Sequence, residues 1–147
     1  MFGLGKLLGG KAKELKVASK KIENRNLMEA ITGGMLLLGY CEDGKLSEEK
    51  RLKIEGLLRT NASLAAFGSE MTDYFNQVNA SLQAGYIPAR IRILREIAEV
   101  KSSVNDAQDV LGNVLEIAVQ DGISPSEEKE LAAIAQTLGL NLADFLR

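Results

Sequence analysis

The stretch CEDGKLSEEK at residues 41–50 has a counterpart in VQDGISPSEEK at residues 119–129. In both, an apolar helical pattern ends at Asp-Gly, a serine follows as a helix N-cap, and Glu-Glu-Lys opens the next helix. The two Asp-Gly pairs are 78 residues apart, and at the same offset Gly34 falls on Gly112. Each copy predicts a helical hairpin, and two such hairpins can cover each other's apolar faces about a pseudo-twofold axis.

The rest of the chain also predicts helices, because apolar residues recur three and four positions apart and no convincing length alternates with period two. We therefore expect an all-α fold of about seven to eight helices packed into one globular bundle. The predicted segments are a helix from about residue 26 to the turn at 43–44, a helix opened by Ser47, a short turn at 62–67, helices over 71–84 and 89–101, a helix starting at Asn105 or Asp106, a helix from Ser124 to Leu138, and a last turn over 142–146.

The glycines and apolar residues of these helices predict how they pack. Gly33 and Gly34 lie in the middle of the first helix, where each glycine costs about 1 kcal/mol relative to alanine, so we expect another helix to cross closely there. Gly85 should end one helix, and Pro88 fits the first turn of the next. The predicted apolar faces are Leu52, Ile54, Leu57 and Leu58 on the second helix, and Ile91, Leu94, Ile97 and Ala98 on the helix after Pro88.

Composition excludes several classes of active site. The chain has no histidine and one cysteine, Cys41, which rules out a Cys–His pair, a Ser–His–Asp triad and a histidine-rich zinc site. No nucleophile, base and orienting group fall into a recognisable spacing. We therefore expect a protein that binds rather than catalyses.

Length and hydropathy predict one domain in the cytoplasm. A chain of 147 residues is long enough for a single core and short for two. It has no signal-peptide pattern and no apolar run near the roughly 20 residues that a transmembrane helix requires. A lone cysteine cannot form an internal disulfide.

Charge is distributed unevenly along the chain. Residues 1–25 carry a net charge of +5, and residues 26–147 carry −7. The first segment is a basic amphipathic lead with apolar residues interleaved among glycines and lysines, which predicts weak contact with anionic lipid. The alternative is that this lead packs back on the body or frays.

The duplicated Asp-Gly, Ser and Glu-Glu-Lys pattern, together with LGLNLADF at residues 138–145, resembles the TerB family of tellurite-resistance proteins. The resemblance covers residues 26–147. It implies an all-α fold of paired hairpins, a cytoplasmic protein that associates peripherally with inner-membrane partners, metal-ion binding through acidic residues, and a role in stress or tellurite resistance.

The acidic residues of the two turns are the candidate metal ligands: Asp43, Glu48, Glu49, Asp121, Glu127 and Glu128. Carboxylate oxygens suit hard divalent cations such as Ca²⁺, Mg²⁺ or Mn²⁺, but neither turn alone supplies enough of them. A pseudo-twofold axis would bring the turns together into one anionic site or leave two half-hydrated ones.

A purely structural alternative also explains this pattern. The glutamates of the first helical turns suit the helix dipole and the serines are caps, although Asp43 and Asp121 lie at helix C-termini, where the dipole opposes them. The second functional hypothesis is accordingly a protein–protein adaptor in which the same acids face a basic partner and no ion is retained.

Two further groups have plain interpretations. Cys41 has no histidine or basic cluster to activate it and is expected to be a small buried apolar residue. Arg90, Arg92 and Arg95, beside Tyr86, predict a solvated helix face rather than a nucleic-acid site, because the body is acidic overall.

Overall fold

The computed structural model describes residues 24–119 and 122–146. These residues form six α-helices and contain two complete short 3₁₀ helices, with no β-strand among them, which confirms the all-α class. The α-helices are α1 (24–40 within the described part), α2 (Glu48–Thr60), α3 (Ser69–Ala84), α4 (Tyr86–Ala98), α5 (Val104–Ala118) and α6 (Pro125–Thr137), and the 3₁₀ helices are Ala65–Phe67 and Leu142–Phe145. The expected count of seven to eight helices and the pseudo-twofold arrangement are not confirmed by these elements alone.

α1 is the central helix of the bundle. Every residue from 30 to 40 is buried, and the fully buried side chains include the consecutive residues Leu36, Leu37 and Leu38, which point to three different sides of the helix. A helix that is apolar all round must be covered on all sides. The other helices therefore pack around α1, α3 against α4, α5 against α6, and α2 against α5.

The adjacent glycines of α1 allow two helices to approach closely, as expected from the sequence. A Cβ atom on Gly33 would lie 2.9 Å from Cγ2 of Ile93 in α4, and one on Gly34 would lie 2.9 Å from Cγ2 of Val114 in α5. Both distances are too short for a real Cβ contact. The two glycines therefore place α1 between α4 and α5.

Local capping residues set most helix boundaries. Gly85 closes α3 by donating its amide to the carbonyl of Ser81 at 3.0 Å and is also the N-cap of α4, so Pro88 falls in the first turn of α4 as expected. Gly139 follows α6 with a φ of 71°, in the left-handed region that suits glycine. Some boundaries differ from expectation. α4 spans Tyr86–Ala98 rather than 89–101, and α3 begins at Ser69 rather than at residue 71. α5 is capped by Ser103, whose Oγ accepts from the amide of Asp106 at 3.3 Å.

Two residues assigned to apolar faces are exposed. Leu52 on α2 is 59% exposed and Ile91 on α4 is 48% exposed. The buried residues of these helices are Ile54 and Leu58 on α2, and Ala89, Ile93 and Ile97 on α4. Residues two apart on an α-helix point in nearly opposite directions, so Leu52 cannot share a face with Ile54, nor Ile91 with Ile93.

The predicted basic lead, residues 1–25, lies outside the described residues except for its last two positions. In the part of the chain that is described, no helix has both the length and the apolar character needed to cross a membrane.

Candidate functional site

The first Asp-Gly turn follows the C-terminus of α1. The amide of Gly44 donates to the carbonyl of Tyr40 at 3.0 Å, and Gly44 has a φ of 74°. Oδ1 of Asp43 accepts a hydrogen bond from the amide of Lys45 at 3.1 Å. The exposed carboxylate of Asp43 thus helps to close its own turn, which is a common role for aspartate.

The second turn has the same backbone conformation at its glycine, since Gly122 has a φ of 83°. Asp121, the acid of this turn, is one of the residues that the structure leaves undescribed. Its assignment as a metal ligand stays a prediction.

The first turn of α2 has the expected cap. Oγ of Ser47 accepts from the amide of Lys50 at 3.2 Å, and Glu48 and Glu49 occupy the first helical turn with exposed side chains. Negative charge at this end of a helix is favourable because the peptide dipoles are positive there.

The first turn of α6 carries a full capping box. Oγ of Ser124 accepts from the amide of Glu127 at 3.1 Å, and Oε1 of Glu127 accepts from the amide of Ser124 at 3.1 Å. Glu127 is only 3% exposed, whereas the neighbouring Glu128 is exposed. One oxygen of Glu127 is therefore committed to the cap.

The first turns of α2 and α6 meet at an ion pair. Nζ of Lys50 lies 3.4 Å from Oε2 of Glu127, and the two side chains are 13% and 4% exposed. Each is the third residue of its helix. The two halves of the repeat are thus brought into contact, and a lysine takes part in that contact. Lys50 is not among the candidate site residues predicted from the sequence, where it is only the lysine of the Glu-Glu-Lys helix start.

A second buried carboxylate lies one turn further along α6. Oε1 of Glu130 accepts from Nη2 of Arg90 at 2.9 Å and from Nε at 3.1 Å, and Oε2 accepts from the hydroxyl of Tyr86 at 3.3 Å. Arg90 therefore does not belong to a solvated face, whereas Arg92 and Arg95 are exposed as expected. Burial and the charge of Glu130 raise the pKa of Tyr86 above its usual range, so its hydroxyl stays a donor.

Cys41 lies beside these charges. Burial, together with the negative charges of Glu127 and Glu130, raises the pKa of its thiol to about 11. A thiol in such surroundings stays protonated at neutral pH and is a poor nucleophile. Its side chain is partly rather than fully buried and packs against the core, close to the expected apolar role.

Together these residues form a charge-balanced junction, defined here as Lys50, Arg90, Glu127 and Glu130. Each carboxylate of this junction is matched by one cation at hydrogen-bonding or near hydrogen-bonding distance. Among residues 24–119 and 122–146, no three cysteine, aspartate or glutamate side chains are grouped so as to hold a metal ion. Of the predicted ligands that are described, only Glu127 belongs to the junction, while Asp43, Glu48, Glu49 and Glu128 are exposed and lie outside it.

Comparisons with known proteins gave no match to a family model, to a curated protein or to a solved structure.

Proposed function

We propose that this chain is a non-enzymatic helical binding module of the TerB type that acts as a protein–protein adaptor. The observation that favours an adaptor over a metal-binding protein is the pair of Lys50 with Glu127 at the meeting point of the two acidic turns. The adaptor would use the exposed acids of the turns to contact a basic partner.

The ammonium of Lys50 lies where the first turns of α2 and α6 meet, beside Glu127, which is one of the predicted ligands. It supplies positive charge to Glu127, whose other oxygen is held by the amide of Ser124. A divalent ion bound there would face repulsion from this ammonium, because like charges a few ångströms apart repel strongly in a partly buried site. The charge balance at the junction thus supports the adaptor proposal over a metal site.

We further infer that the hairpins α1–α2 and α5–α6 are related by a pseudo-twofold axis, as the repeat predicts. Support comes from the matching serine caps, the two glycines in the left-handed region, and the contact between the third residues of α2 and α6. The side-chain packing around the two repeat-related glycines is not symmetric. A Cβ atom on Gly34 would lie 2.9 Å from Val114, whereas one on Gly112 would meet nothing within 4 Å.

Divalent-cation binding remains the second candidate, carried by the acids that face solvent. The carboxylates of Asp43, Glu48 and Glu128 are exposed, and they belong to the two chain segments that also carry Lys50 and Glu127. A Ca²⁺, Mg²⁺ or Mn²⁺ ion held by them would need Asp121 or several waters to complete its coordination.

The physiological role and the membrane link rest on the resemblance alone. A TerB-like role in stress or tellurite resistance, with partners at the inner membrane, is part of the proposal, as is weak lipid contact through residues 1–25. Co-sedimentation with anionic vesicles tests the lipid contact. Equal pelleting of the full chain and a chain lacking those residues would remove it.

Calorimetric titration separates the two candidates. The protein would be titrated with Ca²⁺, Mg²⁺ and Mn²⁺ in parallel with the variant Asp43→Asn/Asp121→Asn. We expect no saturable heat from either protein. Saturable binding to the original chain that disappears in the variant would overturn the adaptor proposal in favour of a metal site.

A further inference from the structure

A groove of about 310 Å³ runs between α2 and α3. Besides its contacts with α1, α2 packs on α5, whereas α3 packs on α4. Because these two neighbouring helices have different packing partners, a space is left between them that their side chains only partly fill. The volume is at the lower end of the range for binding clefts, roughly 300–1,000 Å³.

The floor of the groove is apolar. Leu58 and Phe75 are each 3% exposed and lie at its base, and the partly buried side chain of Met71 lines one side. An apolar side chain inserted here would be removed from water against three apolar groups. Methionine also adapts its shape to different occupants.

The two rims differ in charge. On the α2 rim, Nε of Arg51 bonds Oε1 of Glu55 at 3.2 Å. Arg59, one turn further along the same rim, is exposed and has no ion pair with any of the described residues. The α3 rim presents the neutral side chains of Thr72 and Asn76. The groove therefore offers an apolar floor with one uncompensated cation at one end.

We propose that this groove docks an amphipathic helix of a partner protein, which inserts an apolar side chain onto Leu58 and Phe75 and places a carboxylate beside Arg59. Helices recognised in apolar grooves present their anchors one turn apart, which suits a groove bounded by two helices. This inference rests on the proposed adaptor function and names the chemistry of one partner. Peptide docking is measured on residues of the groove and ion binding on residues of the acidic turns, so failure of one proposal is distinguishable from failure of the other.

The positive charge of Arg59 is the reason for proposing a partner helix that carries a carboxylate. Arg59 lies in the last turn of α2, where a positive charge interacts favourably with the helix dipole. This interaction explains the charge of Arg59 but not the apolar floor beside it. An anionic membrane is disfavoured because the groove is concave and the body from residue 26 carries a net charge of −7. A single local carboxylate meets Arg59 without bringing a large negative surface against the acidic body.

The exposed face of α4 offers an internal comparison. Ile87 and Ile91 are 73% and 48% exposed there, and Arg95 continues the same stripe. This face also combines apolar and cationic groups, but it is the outer side of a single helix and has no second rim. It supplies a matched control for Arg59.

The test uses a synthetic helical peptide as the probe, with leucines spaced three and four residues apart and glutamates one turn from them, and a second peptide in which lysine replaces every glutamate. Binding to the full chain would be measured by fluorescence anisotropy and mapped by NMR on the methyl groups of Leu58, Met71 and Ile91. We expect shifts at Leu58 and Met71, and weaker binding of the lysine peptide. Arg59→Glu should weaken binding of the glutamate peptide by about fivefold to tenfold, with a smaller effect at high salt.

Controls make each outcome decisive. Arg95→Glu should leave affinity unchanged, and circular dichroism should show that both variants keep their helices, with Arg59→Gln as a milder replacement. Shifts at Ile91 with loss of binding in Arg95→Glu would move the docking face to α4 and overturn the proposal. Equal binding of the two peptides, or no groove shifts at about 1 mM peptide, a concentration that detects even weak binding, would also overturn it. Concentration-dependent dimerisation abolished by Arg59→Glu would show that a second copy, not a partner, fills the groove.

Discussion

Nζ of Lys50 lies 3.4 Å from Oε2 of Glu127, although the two residues are 77 positions apart in the chain. The contact joins the first turns of α2 and α6, which follow the two copies of the Asp-Gly turn. Both side chains are largely buried, so removing one charge leaves the other unpaired and poorly solvated.

Neutralising Lys50 should therefore destabilise the fold. Lys50→Met keeps the apolar stem but leaves Glu127 without its cation, and we expect a loss of about 1–3 kcal/mol in the free energy of unfolding. Urea denaturation measures it. The control is Lys53→Met, because Lys53 lies 3.7 Å from Glu116 with both side chains well exposed, and such pairs contribute about 0–1 kcal/mol.

The double variant Lys50→Met/Glu127→Gln should recover part of that loss. It leaves no unpaired charge at the junction, and glutamine can still complete the capping box with Ser124. If Lys50→Met and Lys53→Met lowered the free energy of unfolding by the same small amount, the junction would not depend on this ion pair.

Removing the charge of Glu130 should lower the stability of the fold, whereas removing that of Glu128 should not. Glu130→Gln weakens a bidentate bond to Arg90 and exchanges an acceptor of Tyr86, so we expect a loss of about 2 kcal/mol. Glu128→Gln, at an exposed position of the same helix, should change stability by less than about 0.5 kcal/mol. Comparable unfolding midpoints for the two variants would argue against the structural role of Glu130.

The repeat-related glycines should respond to alanine with opposite signs. Gly34→Ala puts a methyl group 2.9 Å from Val114 and should cost about 1–3 kcal/mol despite its better helix propensity. Gly112→Ala meets nothing within 4 Å and should stabilise α5 by roughly 0.5–1 kcal/mol. Thermal unfolding of both variants distinguishes them, and a stable Gly34→Ala would mean that α1 and α5 are further apart than described.

The thiol of Cys41 should be alkylated slowly in the folded protein. With a pKa of about 11 instead of 9.0, the folded thiol at pH 8 has roughly a hundredfold smaller thiolate fraction, so its alkylation by iodoacetamide should be slower by a similar factor than in the denatured chain. The rate should still be rising at pH 10. A rate that levels off below pH 9 would contradict the influence of burial, Glu127 and Glu130 on this thiol.

Local features were predictable from the sequence because they depend on neighbouring residues. The caps at Ser47 and Ser124 and the helix stop at Gly139 were expected and are confirmed. The start of α5 was placed at Asn105 or Asp106 and is set by Ser103. All three residue types cap helices well, so the pattern alone could not choose between them.

The junction could not be predicted in the same way. The bond between Arg90 and Glu130 spans 40 residues, and that between Lys50 and Glu127 spans 77. Such pairs depend on how the helices pack around α1. The spacing of Glu127 and Glu130, which puts both on the same side of α6, was a usable signal that this side is not purely apolar.

Paramagnetic broadening by Mn²⁺ tests directly whether an ion binds at the two turns, because it reports on each turn individually. With about one equivalent of Mn²⁺, we expect the amide signals of residues 43–50 and 122–129 to broaden no more than those of exposed acidic positions elsewhere, such as Glu70 and Asp73 on α3. Selective broadening of both turns, abolished by Asp43→Asn/Asp121→Asn, would show that an ion binds there in spite of Lys50 and would contradict the adaptor proposal.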